Sequence, residues 1–228
     1  MIRSIATAIA LLLPSAAAFA ADCNGSAEAG RDWSGCNRRN LMLSGENLEG
    51  ADLRGADLSQ SDLREVALKG ANLEDAKLAG TSLAGAVADG ANFTKVEGYR
   101  VDLSKLSATG ASFKGAELQR SAFVAARLSN SSFEKAELGR ARFEKAVLGN
   151  NDFTFANLAR ANLAGATIEG PLNFSGAYMF LTRIEGLDLS TATGLTQAQV
   201  DLACGDPATK LPSGLTPSQK WPCPPPER

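Results

Sequence analysis

Across 228 residues, 25 acidic and 23 basic side chains leave a formal charge of −2, which disfavours nucleic-acid binding, usually marked by a strongly basic domain. The chain contains no histidine, so the commonest general base and metal ligand of enzyme sites is missing. The first element, residues 1–20, has the features of a secretory signal. Arg3 supplies the positive start, Ile5 to Leu13 the apolar stretch, and Ala18-Phe19-Ala20 the small-x-small cleavage site. The apolar run is too short to span a bilayer as a mature helix. A lone Arg3 favours the general secretory route over twin-arginine export. Asp22 stands where a lipoprotein signal before Cys23 needs a small residue. Cleavage after Ala20 is therefore expected, releasing a protein with no membrane insertion into the periplasm or the medium.

Residues 21–40, which hold Trp33 and the pair Cys23 and Cys36, are expected to form an N-terminal cap. From 41 to about 190 the sequence repeats in fives: small residue, polar residue, Leu or Phe, then two polar or small residues. Ala51-Asp52-Leu53-Arg54-Gly55, Ala71-Asn72-Leu73-Glu74-Asp75 and Ala161-Asn162-Leu163-Ala164-Gly165 are clear copies. Of 26 central positions in register from Leu43 to Ile168, all are Leu, Phe or Ile except Ala88, Gly98 and Ala108. The position two residues earlier is Ala in 15 of the 26. Neither a helix of period 3.6 nor a strand of period 2 produces an invariant five. Repetition on this scale signals a solenoid, in which each unit buries its apolar face by stacking on the next.

The repeat resembles the pentapeptide-repeat family, whose motif is A(D/N)LXX. The resemblance implies an all-β fold, a right-handed quadrilateral parallel β-helix with one pentapeptide per side and 20 residues per coil. The central residue and the small residue two before it would point inward. The alternation Phe113, Leu118, Phe123, Leu128, Phe133 through Phe153 supports that coil length independently. It places Phe93, Phe113, Phe133 and Phe153 in one stack, with Phe123 and Phe143 on the opposite wall. After Ile168 the pattern resumes one residue late, at Phe174, Met179, Ile184 and Leu189, beside Pro171. That slip reads as a bulge at a corner. Where the central side chain shrinks to Gly98 or Ala108, the inward position before it grows to Val96 or Leu106, a volume-conserving exchange. Ala88 lacks such a partner, which leaves room for a small cavity or apolar ligand there.

Residues 191–228 are expected to form a C-terminal cap: Thr196-Gln197-Ala198-Gln199 has the form of a capping box, starting a short helix over about 197–204. A proline-rich tail follows. An open solenoid end exposes edge strands, so both flanks serve as lids. The four cysteines allow three pairings. About 30 pentapeptides give a rod of roughly 36 Å at a strand spacing of ~4.8 Å. Two of the pairings would bridge opposite ends of that rod, whereas a disulfide needs Cα atoms within about 7 Å. Cys23–Cys36 with Cys204–Cys223 remains, in keeping with export to an oxidising compartment. The same geometry removes a four-cysteine metal site, and no cofactor is expected.

No nucleophile–base pair, phosphate loop or metal spacing rises above the repeat, so a non-enzymatic role is expected. The best surface signal is electrostatic. Arg100, Arg120, Arg140 and Arg160 recur at spacing 20, and three residues before each come Glu97, Glu117, Glu137 and Asn157. The row reads either as a self-neutralising salt-bridge lattice or as a face for a small anion, an acidic polymer or an acidic partner. Arg127, Lys135, Arg142 and Lys145 add positive charge nearby. Residues 41–90 carry nine acidic and four basic side chains, net −5, and residues 91–168 carry seven and eleven, net +4. Such asymmetry can orient a partner. The resemblance also implies one sharper possibility, mimicry of duplex DNA toward DNA gyrase as in some cytoplasmic members. Expected export and a near-balanced surface count against it, and exposed aromatics (Tyr99 and Tyr178) are too sparse for nucleic acid. The reading is a rigid structural or protein-interaction module in the periplasm, its partner unnamed by the sequence.

Overall fold

The structure is a computed structural model and describes residues 21–224, so the expected signal segment and its cleavage point lie outside the described residues. The chain winds as a right-handed, four-sided coil in which each pentapeptide supplies one extended residue and one corner. Side 1 stacks Asp32, Asp52, Asn72, Asn92, Ser112, Ser132, Asp152, Asn173 and Thr193, each in parallel register with the next. Side 2 stacks Asn37, Asp57, Lys77, Glu97, Glu117, Glu137, Asn157 and Tyr178. Side 3 runs from Met42 to Cys204, and side 4 starts at Asn47. On side 4, β1 (Val147–Leu148) pairs in parallel with β2 (Thr167–Ile168). Elsewhere a side is straight for too short a run to pair more than one residue.

The five-residue period has a local cause. At a corner, the N–H three residues after the central one donates to its carbonyl, as Ala51 does to Leu48 (3.1 Å) and Ala71 to Leu68 (2.9 Å). The second corner residue takes a positive φ, 63° at Gly50 and 64° at Gly55, as a type II turn demands. Asp or Asn before the central residue fixes the corner from outside: Asp52 Oδ1 accepts from the Arg54 N–H at 3.2 Å and Asn72 Oδ1 from the Glu74 N–H at 3.1 Å.

Inside, the phenylalanines form the two opposite stacks. Phe93, Phe113, Phe133, Phe153 and, one coil further, Phe174 lie parallel with centroids 4.8 to 5.5 Å apart, and Phe123 and Phe143 are 4.8 Å apart. The two stacks meet edge to face, as between Phe133 and Phe143 at 6.1 Å and 87°. Stacked and edge-to-face contacts of this kind are the arrangements that aromatic rings prefer in a close-packed interior. Inward Ser and Thr residues answer carbonyls of the preceding coil: Thr81 Oγ1 donates to Leu58 O (2.8 Å) and Ser121 Oγ to Gly98 O (3.0 Å). Val96 is buried as expected. Leu118 of the next coil and Val101 of the next side also crowd the Gly98 position, where a Cβ would lie 2.8 Å from both Leu118 Cδ2 and Val101 Cγ2.

The coil begins at 31, not 41. Asp32 already pairs with Asp52, and Trp33, fully buried, takes the central position on side 1. The spacing concealed this because Arg38 occupies the next central position, where the repeat has Leu. Its guanidinium lies 4.0 Å from the Trp33 ring centroid and donates to Cys23 O (2.7 Å) and Gly25 O (3.1 Å). Arg38 thus closes the core while tying down the N-terminal loop, which Cys23–Cys36 also joins to side 2. Met42 on side 3 is left 77% exposed at this edge.

At the other end, the extra residue near Pro171 lengthens one coil, so Asp152 pairs with Asn173 and Asn157 with Tyr178. The chain then continues past 190. Thr193 adds a rung to side 1, α1 (Gln197–Leu202) takes the place of side 2, and Cys204 and Lys210 pair with Arg183 and Asp188. The capping box is formed by Thr196 and Gln199. Buried Gln199 donates to Phe174 O (2.8 Å) and Ala177 O (2.9 Å), satisfying two carbonyls of the last full coil. Trp221 Nε1 donates to Ala203 O (2.7 Å), and Cys204–Cys223 fixes the tail beside it. Outside, Lys210 and then Ser190 hold the Asp188 carboxyl down to about 2. Among the described residues, no helix is long and apolar enough to cross a membrane.

Candidate functional site

Side 2 gathers the residues singled out in the sequence. Glu97, Glu117 and Glu137 stand one above another along its middle, between Lys77 and Asn157. Arg100, Arg120, Arg140 and Arg160 occupy its far corner, each exposed and each at φ 59° or 60°. Coil spacing along the rod is the 4.8 to 5.1 Å of the adjacent phenylalanine stack.

The salt-bridge lattice does not form. Among the described residues, none of these arginines lies within ion-pairing distance of a carboxylate. Other surface arginines do pair, but with a residue two positions away on the same side: Arg54 with Asp52 (2.5 Å), Arg64 with Asp62 (2.5 Å), Arg142 with Glu144 (3.3 Å). The difference is the corner. A glutamate in mid-side and an arginine three residues on are separated by the turn itself. Glu137 instead accepts from Asn157 Nδ2 at 2.8 Å. Arg100 and Arg120 lie 5.2 and 6.0 Å from the Tyr99 ring, contacts that leave their charge unneutralised.

The backbone sharpens the point. A left-handed conformation disfavours a residue with a Cβ by roughly 1–2 kcal/mol, and glycine removes the strain. Thirteen other non-glycine residues among those described, Lys95, Lys135 and Phe155 included, take the same corner conformation, so it belongs to the turn; the four arginines differ in standing one above another without a carboxylate partner. Arg120→Gly should leave stability unchanged or raise it by up to about 1 kcal/mol, read as the urea midpoint. A fall of similar size would make the ridge a structural element after all.

To Tyr178, already expected to be exposed, the structure adds exposed Phe155 and Phe180 at the C-terminal end of side 2. Phe155 is 62% exposed, Tyr178 52% and Phe180 37%. The Tyr178 and Phe180 rings are 6.3 Å apart and within 12° of parallel. Phe155 sits at the near corner, its ring over Gly176, where a Cβ would come within 2.5 Å of it. The signal was present, since Phe155 and Phe180 fall at outward positions of the repeat. Coil stacking, shifted by the inserted residue, puts both at the C-terminal end of side 2. Between Tyr99 and Phe180, the row beside the arginines carries Gln119, Gly139 and Ala159, a shelf of mostly small side chains.

The family comparison agrees with this architecture. Residues 34–70, 68–97, 99–134 and 136–170 match the family described as Pentapeptide repeats, in eight copies. Full-length QnrB1, a plasmid-mediated fluoroquinolone resistance protein, is similar over 78% of this chain and 94% of its own, at 18% identity and a TM-score of 0.39. HetL, a pentapeptide repeat protein involved in heterocyst differentiation regulation in Nostoc sp. strain PCC 7120, is similar over 81% of this chain and 91% of its own, at 21% identity and a TM-score of 0.36. Rfr23 from Cyanothece 51142 is similar over 64% of this chain and 89% of its own, at 18% identity and a TM-score of 0.23. Among curated proteins, none matches.

Proposed function

Because the chain belongs to the pentapeptide-repeat family, whose members share an architecture rather than a chemistry, we propose that it acts as a rigid, non-enzymatic interaction module. It works outside the cytoplasm, in the periplasm or medium, and presents side 2 to a partner of acidic character. The observation that carries this reading is the row of four exposed, unpaired arginines, with exposed Tyr178 and Phe180 at its C-terminal end. Arg, Tyr and Phe are the residue types enriched where interfaces are made. Rigidity helps, because a preformed flat side loses little conformational freedom on binding. Export is supported by the signal features of residues 1–20 and by two disulfides at the ends.

The test is proximity crosslinking with mass spectrometry in intact cells, comparing the wild type with Arg120→Glu/Arg140→Glu/Arg160→Glu. A partner captured by the wild type should be lost from the variant. One retained by both moves the interface to another side. Absence of any partner outside the cytoplasm sinks the module reading.

A further inference from the structure

We propose that side 4 pairs with side 4 of a second copy of this chain, the two rods lying antiparallel about a two-fold axis at Val87. The inference goes beyond the reading of side 2, which forms the opposite wall and stays free in such a pair.

Side 4 departs from the repeat where the other sides keep it. Its middle row runs Asn47, Ala67, Val87, Ser107 and Arg127, each in parallel register with the next. Elsewhere that position holds an Asp or Asn that accepts the corner N–H, as Asp52 and Asn72 do. Ala67 and Val87 give up that brace, and Val87 is left 43% exposed. In a single rod an outward valine neither fixes the corner nor buries its side chain. Against a second surface the same side chain leaves water, which is favourable.

Charge selects the second surface. Glu65 and Lys105 share the positive-φ corner position with Gly85, one coil to either side of it. Both are exposed, and neither has an ion-pair partner among the described residues. A two-fold axis across the rod at Val87 carries each coil onto the coil equally far on the other side. Glu65 of one copy then faces Lys105 of the other, and the symmetry makes that contact twice. Ala67 faces Ser107 beside it, and Val87 meets its own copy on the axis. Two coils out, exposed Arg127 faces Glu46 and Glu49, also exposed.

The register holds because coil spacing is identical in the two copies. At the far corner Asp89 approaches its own copy, but its Oδ1 already accepts from Ser107 Oγ (2.9 Å) and the Thr109 N–H (2.8 Å). Lys69 of the other copy stands one coil away and offsets that charge. A parallel pair would instead set Arg127 of each copy against the other. The antiparallel one overlaps the acidic stretch 41–90, net −5, with the start of the basic stretch 91–168, net +4. A side five residues wide spans at most about 17 Å. Five coils span about 24 Å. The face therefore belongs with small, transient interfaces, below about 1,200 Å² in total, and the pair dissociates on dilution.

Sedimentation of the purified protein from micromolar to millimolar concentration should show a monomer–dimer equilibrium. Val87→Asp installs the residue type the repeat uses as a brace, and sets two carboxylates on the axis. Its Tm, read where the wild type is monomeric, should hold or rise while the dimer is lost. Glu65→Lys and Lys105→Glu, each alone, turn two contacts repulsive and should raise the dimer dissociation constant roughly tenfold. Mixed together, those two variants should form a heterodimer tighter than either homodimer, because the facing charges are then opposite at both sites. Arg120→Glu/Arg140→Glu/Arg160→Glu should dimerise like the wild type, since side 2 faces away. Circular dichroism melts confirm that each variant is folded. A wild type that stays monomeric throughout overturns the proposal and leaves the reading of side 2 untouched. Dimerisation indifferent to both Val87→Asp and Glu65→Lys overturns it as well, by moving the contact to another side. A mixture that forms no heterodimer rules out the antiparallel register and, with it, the proposal.

Discussion

Phe133→Ala destabilises the solenoid by about 3–5 kcal/mol, the range for truncating a core aromatic. The reason lies in the neighbours of that ring. Phe133 stacks on Phe113 at 4.9 Å and on Phe153 at 5.1 Å, and meets Phe123 and Phe143 edge-on at 5.8 and 6.1 Å. Each is held by its own coil, so the cavity cannot close by a local shift. Phe133→Leu, which retains most of the volume, should cost no more than about 1.5 kcal/mol. Phe155→Ala removes a ring of equal size from the surface and should stay within about 0.5 kcal/mol. Denaturant midpoints of the three variants decide the matter. If Phe133→Ala behaved like Phe155→Ala, the interleaved stacks would not be the source of stability.

Cys204→Ser/Cys223→Ser has the second large effect, concentrated at one end. The bond closes a loop across 19 residues, for which the chain-entropy model gives about 3 kcal/mol. A solenoid is stabilised repeat by repeat through nearest neighbours, so the loss falls on the terminal coil rather than on the whole rod. The Cys204 amide donates to Thr182 O (2.8 Å) and the Lys210 amide to Leu187 O (2.9 Å), and both should exchange faster with solvent. Amides near Phe113 should keep their protection. The N-terminal pair should matter less. Arg38 and Arg31 hold that loop independently, Arg31 through ion pairs to Asp22 at 3.1 Å and Glu28 at 2.6 Å. Unchanged protection at Cys204 and Lys210 would show that Gln199 and Trp221 suffice to hold the cap.

A pentapeptide carries its own instructions: a small inward residue, an Asx that fixes the corner, a central apolar side chain, and a corner residue at positive φ. Local chemistry therefore determined the four-sided coil, the Phe93-to-Phe153 stack with Phe123 and Phe143 opposite, and the slip beside Pro171. The same regularity hid the first coil, because Arg38 breaks the apolar pattern while serving as its plug over Trp33. Contacts that depend on where side chains lie across a corner were left to the tertiary structure. Spacing put Glu137 and Arg140 on one side, but the turn between them prevents pairing, and Glu137 takes Asn157 from the next coil instead. Likewise Phe155 comes to lie over Gly176, 21 residues on in the chain, only through stacking lengthened by one inserted residue. Period is a property of each repeat taken alone. The composition of a surface along the rod depends on which coils lie above one another, and only the folded stack decides that.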